Sequence, residues 1–87
     1  MDSATFAEIA RNAGSNLKLL KIVYEDNNGV LTERRVEPYE IKNGTFYGYS
    51  IDPGVTGDLG TRKFKVVRIA KAEIIEETFN PRWPILV

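Results

Sequence analysis

The residues of this chain best equipped for chemistry are its cations and the aromatics beside them. They concentrate in 61-TRKFKVVRIAK-71, which places five of the twelve basic residues in eleven positions, threaded with Phe64, Val66, Val67 and Ile69. Guanidinium groups hold phosphates through paired, charge-assisted hydrogen bonds. Flat tyrosine faces such as Tyr47 and Tyr49 stack on unpaired bases at about 1–3 kcal/mol per base. The candidate ligand-binding residues are therefore Arg62, Lys65 and Arg68 for phosphates and Tyr47 as a stacking surface. In the neighbouring pair Arg34-Arg35 one arginine falls on each face of a strand, and Arg35 is taken to join the site. A purely structural reading stands beside this one. Alternation in a half-buried strand sends Lys63 and Lys65 to solvent in any case, and rim arginines can pair with Glu73, Glu76 or Glu77.

Other chemistries find little to work with. The chain has no cysteine and no histidine. That excludes disulfides, thiolate zinc sites and cysteine nucleophiles, and it removes the usual general base near neutral pH. Glu76 and Glu77 are adjacent in a strand and point to opposite faces, so they are not an acid–base pair. Asp52 and Asp58 are too sparse for a calcium loop. No catalytic residue, metal or cofactor is expected. Twelve acids balance twelve bases, so a basic site must arise by segregation of charge, and wholesale coating of nucleic acid is not expected. No apolar run approaches the ~20 residues of a membrane span. The N-terminus lacks the lysines and apolar centre of a signal peptide. A cytoplasmic location is expected.

The elements that must position these residues are mostly strands. The 87 residues suffice for one small domain. Residues 5–14 read as a helix, because Phe6, Ile9, Ala10 and Ala13 form one apolar stripe. Thr5 with Glu8, or Ser3, would cap it, and Gly14 would end it. Strands follow at 17–25, 31–42, 45–51, 61–69 and 71–79. Asn28-Gly29 and Asn43-Gly44 are hairpin turns. Pro38 cannot donate to a ladder, and the apolar parity changes from Val36 to Tyr39, which predicts a bulge. Residues 52–60 carry three glycines; since a strand follows and not a helix, they read as a hairpin loop and not as a phosphate cradle. The register shift near Val67-Arg68 predicts a sharp corner. So few residues cannot extend a flat sheet without exposed edges, and a mainly β fold results: a short N-terminal helix followed by a five-stranded SH3-like or Sm-like barrel over 17–79. The tail 80–87 contains two prolines and must cover Trp83 and Ile85, on the barrel itself or across a homodimer.

The order of motifs resembles the WYL domain of bacterial and phage regulators. The residues are Arg34/Arg35-Val36-Glu37-Pro38, then Phe46-Tyr47, then Arg62-Lys63-Phe64-Lys65-Val66-Val67-Arg68-Ile69. The resemblance implies an Sm-like barrel that senses a nucleotide or short single-stranded nucleic acid, usually in transcription regulation. It places Tyr47 at the family's central tyrosine and Arg62, Lys65 and Arg68 on its basic strand. Phe46 stands where the family has Trp, Gly48 where it has Leu, and Val67 where it often has Asp. Gly48 removes a core side chain or opens room beside the strand. The alternative function is a structural module that binds a protein partner through strand edges and the Trp83 tail.

Overall fold

The computed structural model describes residues 1–52 and 60–87. Helix α1 spans Ser3–Ser15; β1 is Lys18–Glu25, β2 Leu31–Lys42, β3 Thr45–Ser50, β4 Gly60–Lys65 and β5 Ile69–Thr78. A 3₁₀ turn, Val66–Arg68, joins β4 to β5. The strands form one antiparallel sheet in the order β4-β3-β2-β1-β5. Among the described residues no helix is long and apolar enough to cross a membrane.

Local chemistry explains the elements. Asp2 caps α1 by accepting from the Ala4 and Thr5 amides at 3.1 and 3.2 Å, so neither Thr5 nor Ser3 is the cap. Gly14 does not end the helix, which runs on to Ser15. The chain reverses instead at Leu17, whose φ is +53°. At the first hairpin the Asp26 carboxylate accepts from the Asn28 and Val30 amides, and Gly29 takes φ +78°. At the second, Asn43 and Gly44 both take positive φ, the mirror-image turn that matches strand twist. The β2–β3 ladder slips between Pro38 and Glu40, where the proline places its bulge.

The inner face of the sheet packs on α1. Phe6, Ala10 and Ala13 meet Leu20, Ile22, Val36, Phe46, Phe64, Val66 and Ile69. Phe46 lies at the centre, edge-on to Phe6 at 4.9 Å and stacked on Phe64 at 5.8 Å.

The expected closed barrel does not form. β4 is hydrogen-bonded to β3 and β5 to β1, with no ladder between β4 and β5 among the described residues. β4 is only six residues long, and the Val66 amide is held by the Gly44 carbonyl at 3.0 Å. The expected fourth strand 61–69 therefore ends at Lys65. The 3₁₀ turn then carries the chain across the inner face, and β5 begins at Ile69, two residues before the expected 71. The glycine-rich reading of 52–60 falls largely on residues outside those described.

Gly48 does not open room. A β-carbon there would meet the Phe46 ring at 3.0 Å and the Glu37 carbonyl at 3.1 Å. Gly48→Ala is expected to destabilise the fold by about 1–2 kcal/mol through overpacking, measured by urea unfolding. An unchanged midpoint would show that Phe46 moves aside freely.

The tail 80–87 folds back on its own sheet. The Leu86 amide donates to the Tyr39 carbonyl at 2.7 Å, and Trp83 meets Tyr39 edge-on at 5.1 Å. Ile85 and Val87 close over Gly14: a β-carbon on that glycine would lie 2.8 Å from each.

Candidate functional site

Cross-strand register sorts the basic and aromatic residues by face. Tyr47 lies opposite Lys63, while Gly48 lies opposite Arg62 and Phe46 opposite Phe64. Arg62 therefore shares the inner face with Phe64, and Tyr47 is on the outer face. Lys65 shares the parity of Lys63 and is exposed on the outer face. Arg35, opposite Lys21, is also outward. Its guanidinium grips Asp52 at 2.7 and 2.8 Å and Glu77 at 2.8 Å. Those two acids hold the Arg35 pKa above its ordinary value, and Arg35 holds the Asp52 carboxyl below its own. The five expected residues thus do not share one face. Glu73 and Glu76 pair with Lys21 and Lys18.

The inner face carries a cation that the candidate set omitted. Arg34, opposite Ile22, is only 8% exposed. Its Nη2 donates to Thr32 Oγ1 at 2.8 Å, its Cζ lies 5.4 Å from the centroid of the Phe64 ring, and its Nε is buried with no partner. Among the described residues no carboxylate pairs with it. Burial, and then the charge of Arg62, push its pKa below the ordinary value. Tyr24 borders the same end of the sheet, with its ring edge-on to Phe64 at 5.1 Å and its hydroxyl accepting from the Lys65 amide at 3.1 Å. Thr32, Tyr24 and Ile69 lie side by side across β2, β1 and β5. Arg68, next to Ile69, donates to the Asp26 carbonyl at 2.9 Å. Arg34 and Arg62 therefore share the inner face, and Arg68 lies in the 3₁₀ turn beside Ile69, bonded to the first hairpin.

Comparison with known protein families, curated proteins and solved structures returns no match. The functional reading rests on this geometry. Among the described residues no group of acids could hold a metal ion.

The arrangement holds the Arg34 guanidinium partly desolvated on the inner face, with Arg62 close enough to act on it electrostatically. A buried, unpaired cation is costly on its own and is relieved by an anion that brings hydrogen-bond acceptors to it. The signal for Arg34 lay in parity. It alternates with Val36, as a residue facing the core must.

The outer face is ordered by the tail. Glu37 is buried and accepts from the Tyr39 hydroxyl at 2.5 Å and from Arg82 Nε at 3.2 Å. Arg82 also sits 3.8 Å over the Tyr49 ring. Burial pushes the Tyr39 phenol up to about 12. A folded pKa above the unfolded ~10 means stability fully present below pH 10 and lost as pH rises through 12. A tyrosinate absorbance titration should show a component that ionises at about pH 12. Its absence would contradict the buried contact.

Proposed function

We propose that this chain is a non-catalytic, WYL-like ligand-sensing module that binds the phosphates of a nucleotide or short single-stranded nucleic acid. The architecture is read as an SH3-like or Sm-like barrel left open between β4 and β5. The strand order and the 3₁₀ turn before β5 support that reading. Arg34 is the anchor, with Arg62 on the same face, Arg68 in the 3₁₀ turn and Tyr24 as the adjacent aromatic surface. The observation that carries the proposal is the buried Arg34 guanidinium, which among the described residues has no carboxylate partner and an unsatisfied Nε. Neutral net charge restricts the ligand to a few phosphates. The resemblance to WYL domains points the same way and places the module in a cytoplasmic bacterial or phage regulator.

The test is fluorescence anisotropy with a labelled short oligothymidylate, and competition by ATP, at low and high salt. Binding is expected to weaken with salt, as release of a few counterions requires. Arg34→Met should weaken it roughly tenfold to a hundredfold, the worth of one or two hydrogen bonds to a charged group. Undiminished binding by Arg34→Met would sink the proposal. No binding to either probe, together with a dimer on size exclusion, would favour assembly through the β4 and β5 edges instead.

A further inference from the structure

A concavity lies on the outer face of the sheet. It has a volume of about 260 Å³ and is lined by Tyr39, Glu40, Tyr47, Gly48, Thr61, Trp83, Pro84 and Leu86. Three of its walls are aromatic. Tyr39 and Trp83 meet at an interplanar angle of 86°, the corner of a box, and Trp83 is 46% exposed. Among the described residues Glu40 is the only charged one in the lining, and it has no ion-pair partner there.

Three aromatic side chains and one carboxylate lining a small hollow attract an organic cation. The negative faces of the rings draw the cation, and the cost of stripping its water is low when the charge is spread over methyl groups. The volume falls below the roughly 300 Å³ at which pockets begin to hold drug-sized ligands, so the occupant is a head group. The aromatic rings of this face already serve cations. Arg82 lies 3.8 Å over Tyr49, and Lys63 Nζ lies 6.0 Å from the Tyr47 centroid. A nucleotide suits the hollow less well, because its phosphate would share a small space with Glu40.

We infer that the outer hollow is a cage for a methylated ammonium group, with Tyr39, Tyr47 and Trp83 as walls and Glu40 as counter-charge. The inference does not depend on the arginine site, which lies on the other face. Either can fail without the other.

The test uses the full chain and three probes: choline, capped Nε-trimethyllysine, and 3,3-dimethylbutan-1-ol, the uncharged carbon isostere of choline. Shifts of the Trp83 indole and Gly48 amide signals in ¹⁵N–¹H spectra report binding. Both cations are expected to bind with a dissociation constant on the order of millimolar, and the tighter of the two identifies a free or a protein-borne ligand. The isostere should bind at least about tenfold more weakly, the worth of a partly desolvated cation–π contact. Glu40→Gln should lose a similar factor with an unchanged thermal midpoint. Lys63→Ala should bind as tightly as the parent or more tightly, since it removes a competing ammonium from the Tyr47 ring. Equal binding of the isostere would make the hollow a plain apolar slot and overturn the inference. So would shifts produced only by a nucleoside, or by sodium chloride at the same ionic strength.

Discussion

Arg34→Met is expected to produce a protein that is more stable and binds anions less well. The side chain is buried, opposite Ile22 and against the Phe64 ring, and its Nε finds no acceptor. Methionine keeps most of the volume and removes the desolvated charge. Replacing buried ionic groups with apolar ones of similar size is often neutral or stabilising by about 1–4 kcal/mol. The lower part of that range applies, because the Thr32 hydrogen bond and the Phe64 contact are also lost. A gain of about 1–2 kcal/mol would raise the thermal midpoint by roughly 4–15 °C in a domain of this size. The opposing changes separate a binding residue from a structural one. A scaffold arginine would lose stability on substitution and leave oligothymidylate binding alone. Arg34→Met with a lower midpoint and intact binding would therefore count against the proposed arginine site. Arg34→Lys keeps the charge but loses the planar fork. It should recover less than half of the binding free energy lost in the methionine variant.

Gly14→Val is expected to release the C-terminal tail. Ile85 and Val87 approach Gly14 so closely that even one added carbon would sit 2.8 Å from a methyl of each. Alanine at this position would gain up to about 1 kcal/mol of helix propensity and lose a comparable amount by displacing two flexible side chains, so it should be nearly neutral. Valine adds two methyls at the point of contact and a β-branch within the helix. A loss of about 2–3 kcal/mol is expected. Detachment has signatures beyond stability. Trp83 leaves Tyr39, so its emission should move to longer wavelength. Tyr39 loses the burial that raises its pKa, which outweighs the loss of the Arg82 amide that lowers it, so its late titration should fall back towards pH 10. Glu37 loses Arg82 but keeps the Tyr39 hydroxyl. A destabilised Gly14→Val protein with unchanged Trp83 fluorescence would mean that the helix, and not the tail, absorbs the collision.

Much of this architecture was legible in the sequence because local chemistry decided it. The Asn-Gly pairs set both hairpins, the apolar stripe set the helix, and Pro38 with the parity change set the bulge. Closure was not legible. It depended on how far β4 extends before Val66 is captured by Gly44, a contact across twenty-two residues that no period reveals. Gly48 misled for a related reason. A glycine in a strand leaves a vacancy only if nothing else enters it, and here Phe46 does. The faces were partly legible. Arg62 is on the inner face, whereas Tyr47 and Lys65 point the other way. Alternation with Val36 marks Arg34, and not Arg35, as the inward member of its pair. Arg35 sits between Asp52 and Glu77, and its partners are distant in sequence. The pairing of Tyr39 with residues 82 and 83 depended on a tail whose path no local pattern fixes.

The unjoined margins of the sheet have a bearing on how the protein behaves in solution. β5 presents an unsatisfied row of amides and carbonyls along its free side, the kind of border on which a second chain can grow. Its exposed Glu73 and Glu76, held ionised to lower pH by Lys21 and Lys18, deter such growth near neutrality. Only acidification below the ordinary carboxylate range removes that deterrent while the backbone row persists. Strongly acidic solutions thus favour edge-to-edge self-assembly, whereas mildly acidic to neutral ones keep the chains apart.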